Sequence, residues 1–283
     1  YETEIINGIT SFTAAAARLN TDLVEKDQPL HVIPASYRKD SVPELLALPG
    51  TKILMKAGKE MKAVRAAILA SGGELWDGGR KNLCESGGDP GRCVLLFRHH
   101  CQRKAGGTSM KTIHFVGAGS GAADLITLRG KQYLEEADTI IYAGSLVNPQ
   151  LLDYAKAGCS IYNSAHMTLE EVLEVMRQDV KAEKDGQTTV RLHTGDPCLY
   201  GAIREQMDVL DEENIPYDYC PGVSSFCGAA SALNLEYTLP NISQSVIITR
   251  MAGRTPVPEK ESIESFAAHH ATMVVFLSTG LLE

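Results

Sequence analysis

Met110-Lys-Thr-Ile-His-Phe-Val-Gly-Ala-Gly-Ser-Gly121 is the stretch whose reading decides the fold. Its first seven residues suit a buried strand, and Gly117, Gly119 and Gly121 follow at once. Glycines at a strand end let the backbone turn tightly and come close to a ligand. Outward from this point the pattern alternates. Helices are expected at Leu128–Ala137, Leu169–Lys181, Ala202–Glu212 and Ser225–Leu233. Strands are expected at Thr139–Tyr142, Thr188–His193, Tyr217–Cys220, 245–249 and 272–277. Such alternation predicts an α/β chain with a largely parallel sheet covered by helices on both faces.

Three further strings fall at strand ends, where open α/β sheets bind ligands. His193-Thr-Gly-Asp-Pro-Cys-Leu-Tyr-Gly201 makes a stiff loop. Asp196 stands several residues ahead of the helix from Ala202, too early for an ordinary cap, so a ligand role is favoured. Pro221-Gly-Val-Ser-Ser225 is again strand, turn and helix, and capping alone would explain Ser224 and Ser225. In Thr249-Arg-Met-Ala-Gly-Arg-Thr-Pro-Val-Pro-Glu259, Arg250 and Arg254 suit bidentate grips on carboxylates, or a solvated loop. His166, His269 and His270 stand apart from any nucleophile or acid and are read as structural or exposed. A dinucleotide site would need its third glycine one position later and an acid ending the second strand; Asp138 precedes that strand instead.

One segment occurs twice. Gly8-Ile-Thr-Ser-Phe-Thr-Ala-Ala-Ala-Ala-Arg-Leu-Asn20 returns as Gly222-Val-Ser-Ser-Phe-Cys-Gly-Ala-Ala-Ser-Ala-Leu-Asn234. Each copy leads into a β-branched run, Leu30–Ile33 and Ser245–Ile248. A separation this long is too great for a solenoid, whose periods run roughly 20–50 residues. The expected organisation is therefore a partial copy of a second domain at 1–76, an irregular junction at 77–109, a first α/β domain at 110–220 and a shortened second domain at 221–283. Within the partial copy, a helix is expected at Ser11–Leu19 and another at Lys59–Ala70, with strands at Leu30–Ile33, Lys52–Lys56 and Glu74–Trp76.

The junction offers only a strand at Val94–Phe97. Cys84, Cys93, Cys101, His99 and His100 match no zinc template. One coding of Leu95–Gln102, read a base later, gives Tyr-Tyr-Ser-Val-Ile-Ile-Val, a closing strand. The hypothesis is that 77–109 continues the first copy in a shifted frame; stop codons in that frame of the gene would sink it.

With a formal net charge of −8, nucleic acid is not the expected main partner. No run approaches the roughly 18–20 apolar residues of a membrane helix. Seven cysteines without framework spacing point to a reducing, cytoplasmic setting. The chain opens on Tyr1 and stops just past 272–277, and both ends are expected to be cut.

Taken together, these strings resemble the tetrapyrrole methylases, S-adenosylmethionine-dependent enzymes of corrin biosynthesis. Val116–Thr127 resembles the opening motif of that family. Ala143–Val147, His193–Gly201 and Arg250–Glu259 resemble its precorrin-4 (cobalt-precorrin-4) C11-methyltransferase branch. Gly8–Phe12 and Pro29–Pro34 resemble the second half of a precorrin-2 (cobalt-precorrin-2) C20-methyltransferase. The resemblance implies two α/β domains with S-adenosylmethionine in the cleft between them. It implies cofactor contacts at Gly117, Gly119, Ser120, Gly121, Thr194, Gly195, Asp196, Leu199, Ser224, Ser225 and Leu277. It implies a small-molecule tetrapyrrole substrate near Tyr200, Arg250 and Arg254, with Arg204 a further choice, and a homodimer. Ser120 and Ala122 depart from the family's proline and acidic residue. No residue is singled out as catalytic, since methyl transfer from a sulfonium is mainly a problem of positioning. The match stops before the family's closing strands, so weak or absent activity is expected of this chain. The rival readings are a fused fragment without activity and a dinucleotide-dependent oxidoreductase.

Overall fold

The computed structural model describes residues 8–19, 22–24, 28–35, 42–55, 61–70, 74–77, 80–82, 93–96, 112–144, 146–181, 187–253 and 256–281. In chain order the elements are α1 (Ser11–Leu19), β1 (Leu30–Pro34), α2 (Val42–Ala47), β2 (Thr51–Met55), α3 (Met61–Ala70), β3 (Glu74–Asp77), β4 (Arg80–Asn82) and β5 (Cys93–Leu96). Then follow β6 (Thr112–Gly117), α4 (Leu128–Glu136), β7 (Thr139–Tyr142), β8 (Ser160–Asn163), α5 (Leu169–Lys181), β9 (Thr188–His193), α6 (Arg204–Glu212) and β10 (Tyr217–Cys220). The last four are α7 (Ser225–Ala232), β11 (Val246–Arg250), α8 (Ile263–Ala267) and β12 (Thr272–Phe276).

The chain forms two compact units that interleave in sequence. Tyr1–Asp22 joins Lys104–Leu235, and Leu23–Arg103 joins Glu236–Glu283.

The first unit is built on a five-stranded sheet in the order β10-β6-β9-β7-β8. All four of its strand pairs are parallel, as the strand–helix alternation requires. Its central strands are buried on both faces, which parallel sheets demand. Val116, Ile140, Val190 and Leu192 meet Leu134 of α4 and Leu151 in one apolar cluster. Local chemistry fixes the helix starts. The Thr127 hydroxyl caps α4 by accepting the Gly130 amide at 2.9 Å. Thr168 and Glu171 exchange bonds ahead of α5, a capping box. Asp138, weighed above as a nicotinamide ligand, instead accepts the Thr188 amide and pairs with Lys156 at 2.7 Å.

The second unit holds a seven-stranded mixed sheet in the order β12-β11-β1-β2-β5-β3-β4. Here the two ends of the chain meet: β1 runs antiparallel to β11, while β11–β12 and β1–β2 are each parallel. Ile33, Leu54, Val42, Leu46, Val64 and Ile68 form the apolar cluster under α2 and α3. The junction contributes more than expected, since both β4 and β5 fall within 77–109 and β5 lies between β2 and β3. Cys84, Cys101, His99 and His100 lie outside the described residues.

Two polar side chains on β1 and β2 are fully enclosed. Lys52 donates to the carbonyls of Leu48 and Gly50, just past the end of α2, where orphan carbonyls favour a cation. The His31 Nε2 meets the Pro49 carbonyl at 3.0 Å. Gly50 turns at φ +85°, and a Cβ there would sit 2.3 Å from the Pro29 carbonyl oxygen, so only glycine fits.

Candidate functional site

In the first unit the ends of β6, β9 and β10 converge through three glycines. A Cβ on Gly117 would lie 2.4 Å from the Gly222 amide nitrogen, and one on Gly222 only 2.1 Å from the Gly195 carbonyl oxygen. Gly119 and Gly195 exchange a pair of backbone bonds at 3.3 and 3.0 Å. These glycines therefore bring three backbones together. That refines the first reading, in which the glycines served approach to a ligand. Gly121 is different: at φ +128° it faces open space within 4 Å. Ser120 packs toward Gly228 at the second turn of α7.

Asp196 organises the loop after β9. Its carboxylate accepts the Cys198 amide at 3.1 Å, the Gly222 amide at 3.3 Å and the Tyr219 hydroxyl. Thr13 of α1 is a further donor to it. Burial raises its pKa to about 6, against the pull of these donors. Asp196 is thus enclosed, and its bonds join β9, β10 and α1. Leu199 is buried beside it, whereas Thr194 and Tyr200 are half-exposed. Tyr200 and Ala202 both adopt positive φ, 57° and 51°. Left-handed backbone at non-glycine residues stores strain and collects at working sites.

At the start of α7, Ser224 occupies the cap position without making a cap bond. Ser225 is the first helical residue. The buried His193 imidazole leaves its Nε2 without a partner, against a background in which buried polar atoms are almost always bonded. Desolvation, then the Arg191 charge, holds that ring neutral.

Sequence reasoning overlooked Arg191, which hides inside the apolar strand β9. Its Nε donates to Gln206 at 3.1 Å and its Nη1 to the Ile141 carbonyl at 3.2 Å. No carboxylate among the described residues bonds to it, and burial alone depresses its pKa to about 10. It lines a cavity of about 120 Å3 with Ser164, Thr168 and Gln206. A buried cation without a counter-charge, on a polar cavity, suits an anionic ligand. Arg204, by contrast, is engaged by Asp208 and Asp211 along α6, the solvated-face alternative.

In the second unit, Leu277 follows β12 at φ 54° and is 71% exposed. Ser278 joins the two strand ends, taking the Met251 amide at 2.9 Å and donating to the Phe276 carbonyl at 2.7 Å. Arg250 is buried and bonds the Met251 and Pro256 carbonyls, so it shapes its own loop. Arg254 lies outside the described residues.

The family model for tetrapyrrole (corrin/porphyrin) methylases matches residues 1–77 and 112–283. The chain belongs to this family. A cobalt-precorrin-4 C(11)-methyltransferase of Methanocaldococcus jannaschii is 53% identical over 173 residues, 61% of this chain and 66% of that protein. Its counterpart in Priestia megaterium is 43% identical over 169 residues, 60% of this chain and 64% of that protein. The chain thus spans just under two thirds of the length of these relatives. A solved cobalt precorrin-4 methyltransferase superposes with a TM-score of 0.57 at 43% identity, covering 60% of this chain and 70% of that one. The family match takes in both copies of the internal repeat.

Proposed function

We propose that this chain is an S-adenosylmethionine-dependent methyltransferase acting on precorrin-4 or cobalt-precorrin-4 at C11, a step in making cobalamin. The observation that carries the proposal is the junction of Gly117, Gly195 and Gly222 around Asp196, at the carboxyl ends of β6, β9 and β10. Relatives named as C(11)-methyltransferases are 53% and 43% identical to this chain over 173 and 169 residues.

The surroundings suit the cofactor. Gly121 opens on unfilled space, Ser224 has an uncommitted cap position, and His193 offers a buried unpartnered nitrogen. Gly119, Ser120, Gly121, Thr194, Gly195, Leu199, Ser224 and Ser225 would hold it. Bound S-adenosylmethionine supplies an activated methyl group on a sulfonium. The protein's part is to orient and to exclude water, and well-oriented reactants gain roughly 7–11 kcal/mol. Asp196 acts here as the brace that fixes the loop carrying Thr194 and Leu199. Arg191, on its cavity with Ser164, Thr168 and Gln206, would meet a carboxylate of the substrate, and Tyr200 would contact it from the loop after β9. Arg250 shapes its own loop in the second unit.

Isothermal titration of S-adenosylhomocysteine into the whole chain tests the reading, with Asp196→Ala as the control. About one site per chain, lost in the variant, is expected. A folded chain that gives no heat refutes it.

A further inference from the structure

Ser164, Thr168, Leu169, Arg191 and Gln206 face one cavity of about 120 Å3 in the first unit. Its floor is enclosed, with Arg191 7% and Gln206 4% exposed. Its mouth is open, since Thr168 and Leu169 are exposed. Most side-chain donors on the wall are already engaged. The Ser164 hydroxyl donates to the Tyr142 carbonyl at 3.1 Å, and the Thr168 hydroxyl to Glu171 at 2.9 Å. The Gln206 side-chain amide donates to the Ala202 carbonyl at 3.1 Å, and its oxygen takes Nε of Arg191. Gln206 and the Ile141 carbonyl thereby hold the guanidinium in one orientation.

The donors left over are of one kind. Nη2 of Arg191 bonds to no group among the described residues. The amides of Leu169 and Glu170, the first two of α5, have no acceptor among them either. First-turn amides find none within their own helix. The start of this 13-residue helix also carries the positive end of its dipole. The acids beside it are committed elsewhere: Glu171 holds the Thr168 amide and hydroxyl, and Glu170 pairs with Arg177. A buried cation and a helix start, both with unfilled N–H groups, border the same cavity, and together they call for an anionic acceptor.

We propose that this cavity is an oxyanion subsite that receives a single carboxylate arm of the substrate. Arg191 and the first turn of α5 are its donors, and Gln206 is the positioning residue that sets the guanidinium. A cavity of this size suits one acid group and not a macrocycle. That the arm belongs to a tetrapyrrole rests on the function proposed above; affinity for an oxyanion does not.

Saturation-transfer NMR on the whole chain at pH 7.5 tests the subsite, with sodium acetate as the probe and chloride holding the ionic strength constant. Transfer to the acetate methyl is expected, and acetamide, neutral and of nearly the same shape, should receive none. Arg191→Met is expected to abolish the transfer. Leu169→Pro removes one amide at the first helical position, where proline is well accommodated. It should weaken acetate binding about tenfold, the effect of one hydrogen bond to a charged group. No transfer to acetate, equal transfer to acetamide, or binding unaltered in either folded variant overturns the proposal. Inorganic phosphate that displaces acetate at a tenfold lower concentration would assign the site to a free phosphate and overturn the acid arm. Should Arg191→Met fail to fold, Leu169→Pro decides. A chain that binds acetate here yet gives no heat with S-adenosylhomocysteine keeps the subsite and loses only the tetrapyrrole.

Discussion

His31 makes the second unit sensitive to acid by an amount that can be worked from its surroundings. The ring is enclosed between β2, β11 and α8, with its Nε2 on the Pro49 carbonyl and its face toward Phe266. Burial first, then the Lys52 charge and, least, His269, lower its pKa to about 3; only the Pro49 carbonyl pulls the other way. In the unfolded chain the value is about 6.5. Above pH 6.5 the ring is neutral in both states and folding is indifferent to pH on its account. As pH falls below that, the unfolded chain takes up a proton that the folded one refuses. Stability is lost progressively down to about pH 3. Between pH 7.5 and pH 5 the loss is about 1.5 pH units of proton uptake, or about 2 kcal/mol. Trp76, the only tryptophan, lies on β3 of the same unit, so urea unfolding followed by its fluorescence reports there. His31→Gln keeps a donor for Pro49 and cannot titrate. The unaltered chain should lose about 2 kcal/mol more than this variant over that range. Equal losses would refute the enclosed, neutral imidazole.

Three further outcomes follow from the first unit. Gly222→Ala drives a methyl to 2.1 Å from the Gly195 carbonyl oxygen, where only backbone can give way; a loss of about 3 kcal/mol, or roughly 10 °C in Tm, is expected. Gly8→Ala meets nothing within 4 Å and should leave Tm nearly unchanged in the same melt. Tyr219→Phe removes one donor from the Asp196 carboxylate and should cost about 1–3 kcal/mol in thermal unfolding at pH 8; an unchanged Tm would show that Asp196 does not brace the loop.

The strongly periodic elements could be read directly from sequence. α1, α5, β7, β9 and β10 fall where hydrophobic spacing and flanking glycines place them. β8 escaped because Ser160-Ile-Tyr-Asn163 is a largely exposed edge strand without an apolar run. α2 and α8 span six and five residues, too short to show a helical period. The glycine turns were found, but not that two of them fill each other, since Gly117 and Gly222 meet only in three dimensions. Asp196 was singled out rightly as unusual, yet apart from the Cys198 amide its donors come from α1, β10 and the turn before α7, which no local pattern reveals. Arg191 sat unnoticed because one cation in Thr-Thr-Val-Arg-Leu-His reads as a surface position. The largest omission was the β1–β11 ladder. A sequence repeat says that two segments are alike; it does not say that they touch.

That ladder also changes what substitution can do. In a pair of identical subunits every residue at the joint is present twice, so a polar side chain enters the interface in duplicate. Within one chain the two sides are separate stretches of gene. Here His31 stands at one side, facing Ile247, while Val246 lies opposite Val32.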